Sequence, residues 1–175
     1  RPEFKNFNTS NHYGATGDAF DWVSPLDVPL VDMDQIQIHP TGEIGSHLLI
    51  TEAVRGNGAI LVNHEGVRFA NEMLTRDKLS EAILKQTGKS AFLIFDQNVR
   101  ESLAAIENYS QQGLLTKASS TSELAEALKL PVSSFVETMN KYQEYQATGE
   151  DLEFGREGDE MPQPLTQAPF YAIEV

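Results

Sequence analysis

The sequence contains no cysteine, which excludes disulfides, thiolate metal sites and cysteine nucleophiles while leaving the redox compartment open. Basic residues are scarce: 13 Lys and Arg stand against 26 Asp and Glu, a formal net charge of −13. A polyanion would have to approach against that field, so nucleic acid is excluded as a partner. No run comes near the roughly 18 consecutive apolar residues that a membrane-spanning helix needs. The opening RPEFKNFNTS has neither the apolar stretch nor the cleavage site of a signal peptide. The first residue is not Met, which points to a processed chain or a piece of a longer one. Of the four histidines, His12, His47 and His64 fall at no useful spacing and read as surface residues, and no metal site is expected.

What is present describes an ordinary folded domain. With 175 residues, 40% of them hydrophobic and 22% charged, the chain can bury a core and is not disordered. The first 36 residues read as turn, short helix and strand: NHYGATGDAFDW is a turn cluster, Pro25 and Pro29 stop a helix, and 31–38 alternates like a strand. HPTGEIG is a loop, and 48–55 reads as a short apolar helix that Gly56-Asn57-Gly58 ends. AILVN and VRF flank His64-Glu65-Gly66 as a hairpin. From Thr75 onward helices and strands alternate. Leu79, Ala82 and Ile83 form a helical stripe with Gly88 beyond it, and 91–95 is a fully apolar strand. Val99, Leu103 and Ile106 make another stripe; Ser120 and Glu123 form a capping box ahead of Leu124, Ala127 and Leu128. Pro131 opens a helix carrying Val132, Phe135, Val136, Met139 and Tyr142, with Gly149 as its stop. The acidic stretch 150–164 reads as a surface loop and 170–175 as a strand. The class is α+β, with short strands and four to six helices.

Chemistry concentrates between His39 and Arg76. His39 lies in a Pro-Thr-Gly loop, Glu52 and Arg55 are three apart on one helical face, and Thr51 is adjacent. A histidine, a hydroxyl, a carboxylate and two guanidiniums suit an anionic substrate, because the arginine fork matches a carboxylate while His and Thr supply single hydrogen bonds. The same spacing also describes an exposed helical ion pair of small energetic worth. Spacing alone leaves both readings open.

MDQIQIHPTG, LITEAVRGNGAILVNHEGVRFANE, TRDKLSEAIL and PFYAIEV, taken in order, resemble the flavoprotein subunits of the fumarate reductase and succinate dehydrogenase family, and most of all its soluble flavocytochrome-type members. The resemblance implies a fold in which a capping, or clamp, domain interrupts an FAD-binding domain. It places residues 1–36 in a remnant of the FAD-binding domain, 37–165 in the capping domain and 166–175 in a strand returning to the FAD-binding domain. The sequence has no GxGxxG fingerprint, so the phosphate site for FAD is expected elsewhere. The chain then reads as an excised piece of a larger flavoenzyme, inactive by itself.

The resemblance also assigns roles. His39 and Thr51 are implied ligands of a substrate carboxylate, Arg76 the acid that protonates the substrate carbon, and Glu52 and Arg55 the relay that reprotonates it. Thr16, Gly17 and Asp18 resemble the turn that touches the flavin, with a helix-capping Asp18 as the alternative; Ala19 stands where the family usually has Gly. The implied substrate is fumarate, or a related enoate such as urocanate, and a module that binds without turnover is the rival from another class. The electron donor and the localisation lie outside these residues. The bland alternative for Arg76 is a salt bridge to Asp77 or Glu81. The strand ends at 170–175, cut from a missing domain, are expected to be unpaired.

Overall fold

The computed structural model describes residues 1–162 and 164–175. Its centre is a four-stranded, wholly antiparallel sheet of order β1-β2-β4-β3, with β1 at Ile60–Val62, β2 at Phe92–Asp96, β3 at Thr116–Ala118 and β4 at Phe170–Glu174. Every residue of β1 and β2 is buried, as expected for apolar runs covered on both faces. In β2 and β4 the register pairs Leu93 with Ile173 and Phe95 with Tyr171. The last pair stacks its rings 5.5 Å apart, adding an aromatic contact to the burial.

Seven α-helices are present among the described residues. Helix α1 spans Asp18–Val23, α2 Ala53–Gly56, α3 Arg76–Leu84, α4 Gln97–Ser102, α5 Ala105–Gln111, α6 Thr121–Ala127 and α7 Val132–Thr148. The long helix α7 turns Phe135, Thr138, Met139 and Tyr142 inward at helical spacing. Pro131 stands at its N-cap, and Gly149 ends it at φ 73°, a conformation that favours glycine. The Ser120 hydroxyl accepts from the Glu123 amide, while the Glu123 carboxylate accepts from the Ser119 amide. Both halves of the expected cap are therefore used, the second one residue early.

Several expectations are corrected. The stretch 31–38 forms no strand: Asp32 sits at φ 56° and its carbonyl accepts from the Gln35 amide in a turn, with no neighbouring strand to extend it. The helix expected over 48–55 shrinks to α2, because Leu49 bridges Gly42 and the Ile50 amide donates to the Thr41 carbonyl. The stripe of Val99, Leu103 and Ile106 divides into α4 and α5 at an extended Leu103. Within the hairpin, Gly66 makes the turn at φ 78°, but its second arm is a single bridge from Arg68 to Val62. The sheet also holds β3, which sequence reading missed. Far from being unpaired, β4 is an inner strand bonded on both sides. The stretch 150–164, whose residue 163 lies outside the described residues, is no simple surface loop, since Asp151 and Arg156 within it are buried.

Among residues 1–36 only Phe4 and Val23 are even partly covered. Tyr13 is 99% exposed and Trp22 73%. The core belongs to the remainder of the chain.

Candidate active site

A small hairpin assembles the site. The Thr41 hydroxyl donates to the Ile50 carbonyl (2.8 Å), and the Glu43 amide donates to the Leu48 carbonyl (2.9 Å). These bonds fold the His39 loop onto the segment that leads into α2, so His39 faces Glu52 with Nε2 4.0 Å from Oε1. The His39 Nδ1 accepts from the Thr41 amide at 3.3 Å, which assigns the neutral tautomer with its proton on Nε2, facing Glu52. Burial, and then the nearby Arg76 charge, lower the His39 pKa, so the ring stays neutral at neutral pH.

Arg76 is the first residue of α3, where the exposed amides of a helix start disfavour a cation. It is held across the chain instead: Nε donates to Glu52 Oε1 at 2.5 Å, Nη2 to Oε2 at 2.9 Å, and Nη1 to Gln37 Oε1 at 2.5 Å. The bridge to Asp77 or Glu81 is not formed; Glu81 pairs with Lys85. The Arg76 hydrogen bond, together with the Arg76 and Arg55 charges, holds the Glu52 carboxyl down to about 2. Reciprocally, the bond to Glu52 raises the Arg76 pKa.

Arg55 reaches Glu52 from the other side, Nη2 to Oε1, at 3.5 Å. Its side chain is buried, its Nη1 donates to the Glu72 carbonyl, and its Nε has no partner. Burial lowers its pKa. Thr51 is half-buried; its amide donates to the Tyr109 hydroxyl at 3.0 Å, and its Oγ1 accepts from the Ala53 amide at 3.4 Å. That leaves the hydroxyl proton of Thr51 to donate outward.

Four sequence candidates, His39, Glu52, Arg55 and Arg76, therefore meet around the Glu52 carboxylate, and Thr51 adjoins them as the residue before Glu52. Thr16, Gly17 and Asp18 do not join them. Gly17 caps α1 at φ 83°, Asp18 stands in the first turn of that helix, and the Thr16 hydroxyl donates to the Asp18 carboxylate. None of the cluster's hydrogen bonds reaches this trio. Gln37 and Tyr109 were missed as site residues: Gln37 lies within the MDQIQIHPTG motif but meets Arg76 39 residues on, and Tyr109 meets Thr51 across 58 residues. A cavity of about 590 Å³ opens beside His39 against residues 4–11, but Glu52, Arg55 and Arg76 are not in its walls.

Chemically, the arrangement is a line in which two proton-bearing guanidiniums, Arg55 and Arg76, flank the ionised carboxylate of Glu52, with two neutral hydrogen-bond donors, His39 and Thr51, beside it. Such a set can hold an anion and carry a proton towards it.

The whole chain, residues 1–175, matches the family model described as FAD binding domain. It is 45% identical over 174 residues to a fumarate reductase (cytochrome) of Shewanella frigidimarina, covering 99% of this chain and 30% of that protein. It is 28% identical to a urocanate reductase of Eggerthella lenta, over 94% of this chain and 28% of the relative. Among solved structures, the open conformation of a flavocytochrome c3 fumarate reductase superposes at a TM-score of 0.85 with 39% identity, covering all of this chain and 31% of the other. The chain thus spans less than a third of the length of these relatives.

Proposed function

The chain belongs to the FAD binding domain family, and from that premise we propose that it is the substrate-capping part of a larger flavoenzyme that reduces fumarate to succinate. The proposed division keeps residues 1–36 with the FAD-binding unit, 37–165 as the cap and 166–175 as the return towards that unit. The exposed Tyr13 and Trp22, beside the left-handed turn at Gly17, fit the border of a flavin-binding unit. The Gly-rich phosphate turn is not in this sequence, so most of the FAD site belongs to other residues. Bound and reduced, FAD supplies the hydride.

The observation that carries the proposal is the two-armed Arg76–Glu52 pair with Arg55 behind it. His39 Nε2–H and the Thr51 hydroxyl bind one substrate carboxylate and draw charge from the carbon that accepts hydride. Arg76 gives a proton to the neighbouring carbon. Guanidinium is a weak acid, with a free pKa above about 12, but a carbanion-like centre is a stronger base. Once Arg76 is neutral, Glu52 loses the largest influence that kept its carboxyl low. Its proton affinity rises and it draws on Arg55, the guanidinium whose pKa burial depresses. Glu52 then returns that proton to Arg76, whose charged form Glu52 favours. The gradient runs from Arg55 towards Arg76.

The test is turnover. The full-length, flavin-loaded protein, given fumarate and a reduced dye, should oxidise the dye; binding without turnover would return the site to a binding module. A larger kcat/KM for urocanate than for fumarate would move the substrate to the other class. The chain alone should purify colourless, and one bound flavin per chain would contradict the proposed division.

A further inference from the structure

Behind Arg55 lies a second ionic group that the proposed reaction leaves unused. Glu72 is completely buried, and Arg68 grips it with both arms, Nε to Oε1 at 2.9 Å and Nη2 to Oε2 at 2.8 Å. Glu72 Oε1 also accepts from the Leu61 amide at 3.1 Å. Arg68 bonds Asp151 Oδ2 at 2.9 Å and lies over the rings of Tyr142 and Phe154. With these partners Glu72 already has both oxygens engaged.

Arg156 is nonetheless brought in from the far loop, with 1% exposure. Its Nη1 donates to Glu72 Oε2 (3.2 Å) and to the Ala59 carbonyl (3.0 Å). Its Nη2 donates to the Arg55 carbonyl (2.5 Å) and to the Glu160 carbonyl (2.7 Å). Asp151 shapes the loop that carries it, accepting from the amides of Glu153, Phe154 and Arg156.

Arg55 needs such outside help. Helix α2 is a single turn of four residues followed by Asn57 and Gly58, and one turn does not hold itself. The main chain of Arg55 is fixed by Arg156, and its guanidinium is aimed by the backbone carbonyl of Glu72, the residue whose carboxylate Arg156 also binds. We propose that Arg156 is a positioning residue for Arg55, holding its main-chain carbonyl directly and, through Glu72, the residue that aims its fork towards Glu52. The proposal rests on the relay reading above.

Arg156→Lys keeps the charge but places its donors on one atom, which cannot span the Arg55 and Ala59 carbonyls together. In the flavin-loaded full-length protein, Arg156→Lys should lower kcat for fumarate roughly 10–100-fold, as small misplacements of reacting groups do, with KM nearly unchanged. Arg55→Met supplies the second arm. If Arg156 acts through Arg55, Arg156→Lys should cost nothing further in the Arg55→Met background. Equal losses on both backgrounds would overturn the proposal. Should the wild-type protein turn over no fumarate, the relay reading fails, and the positioning claim is decided by NMR. Solvent exchange of the Arg55 guanidinium protons should quicken in Arg156→Lys at least about tenfold more than exchange of the buried Phe95 amide in the sheet, and an equal change at both would overturn it. If Arg156→Lys does not fold, Asp151→Asn, which loosens the same loop, takes its place in both experiments with the same outcomes.

Discussion

Glu52 and Glu72 are gripped in the same way. Each receives an arginine Nε on Oε1 and the Nη2 of the same arginine on Oε2. Their surroundings differ: the Glu72 side chain is 0% exposed and that of Glu52 43%. Around Glu72 the charges are enclosed by Tyr142, Phe154 and a second arginine. Removing either partner there strands a charge away from water. Around Glu52 the line of arginines has an open side, and water is available to whichever group is left alone. The bidentate fork therefore does not by itself distinguish structure from chemistry. The buried pair can only hold; the half-open pair can hold or let go.

The largest expected contrast is in turnover. In the flavin-loaded full-length protein, Arg76→Lys should lower kcat by about 10²–10⁴-fold, the usual contribution of a placed acid, with flavin content and thermal midpoint unchanged. A rise in KM at constant kcat would make Arg76 a clamp on the substrate instead. Next, Glu72→Ala should destabilise the protein by about 3–5 kcal/mol through the stranded charges of Arg68 and Arg156, whereas Glu52→Ala should hardly move the urea midpoint. Similar midpoints for the two variants would erase the distinction. Thr51→Ala and His39→Ala should each cost on the order of 10²-fold in kcat, as for loss of one oxyanion donor.

The smallest effects lie in the titrations. The Glu52 carboxyl, held down to about 2 chiefly by the Arg76 hydrogen bond, contributes stability that is present above the ordinary carboxylate range and is lost as pH falls towards 2. Carbon-detected NMR should place its midpoint there in the wild type and higher in Arg76→Met. His39, lowered by burial and then by Arg76, favours the folded state most above pH 6.5 and loses that contribution as pH falls below it. Its midpoint should rise in Arg76→Met and fall further in Glu52→Gln, because Glu52 is the neighbour that raises it.

The contrast between the two glutamates also marks what the sequence makes legible. Periodic or uninterrupted apolar segments, such as residues 91–95, found as a strand shifted by one residue to Phe92–Asp96, and the Phe135-to-Tyr142 stripe, read directly because burial follows their spacing. The three residues of β3, Thr116 and Ala118 half-buried and Lys117 exposed, carry no such pattern and are a strand only because β4 accepts them. Residues 31–38 alternate well but have no strand beside them, and alternation without a partner does not make a sheet. In the site, His39, Thr51, Glu52, Arg55 and Arg76 could be named because each sits in a recognisable motif. Tyr109, Gln37 and Arg156 could not, since contacts that span 39 to 101 residues leave no local trace. Asp151 and Arg156 were read as surface because charge usually means solvent; here the two charges are buried against Arg68 and Glu72.

The relay claim can be tested within a single turnover. Pre-reduced, flavin-loaded Arg55→Met protein is mixed rapidly with fumarate and excess reduced dye, and succinate is followed from the first turnover onward. Arg76 enters the first turnover already charged and needs Arg55 only to be recharged. The account predicts a burst of about one succinate per flavin at the wild-type rate, followed by a steady state slower by roughly 10²-fold. A first turnover slowed as much as the later ones would contradict it, and would place Arg55 in the binding of substrate instead of behind Glu52 in the supply of protons.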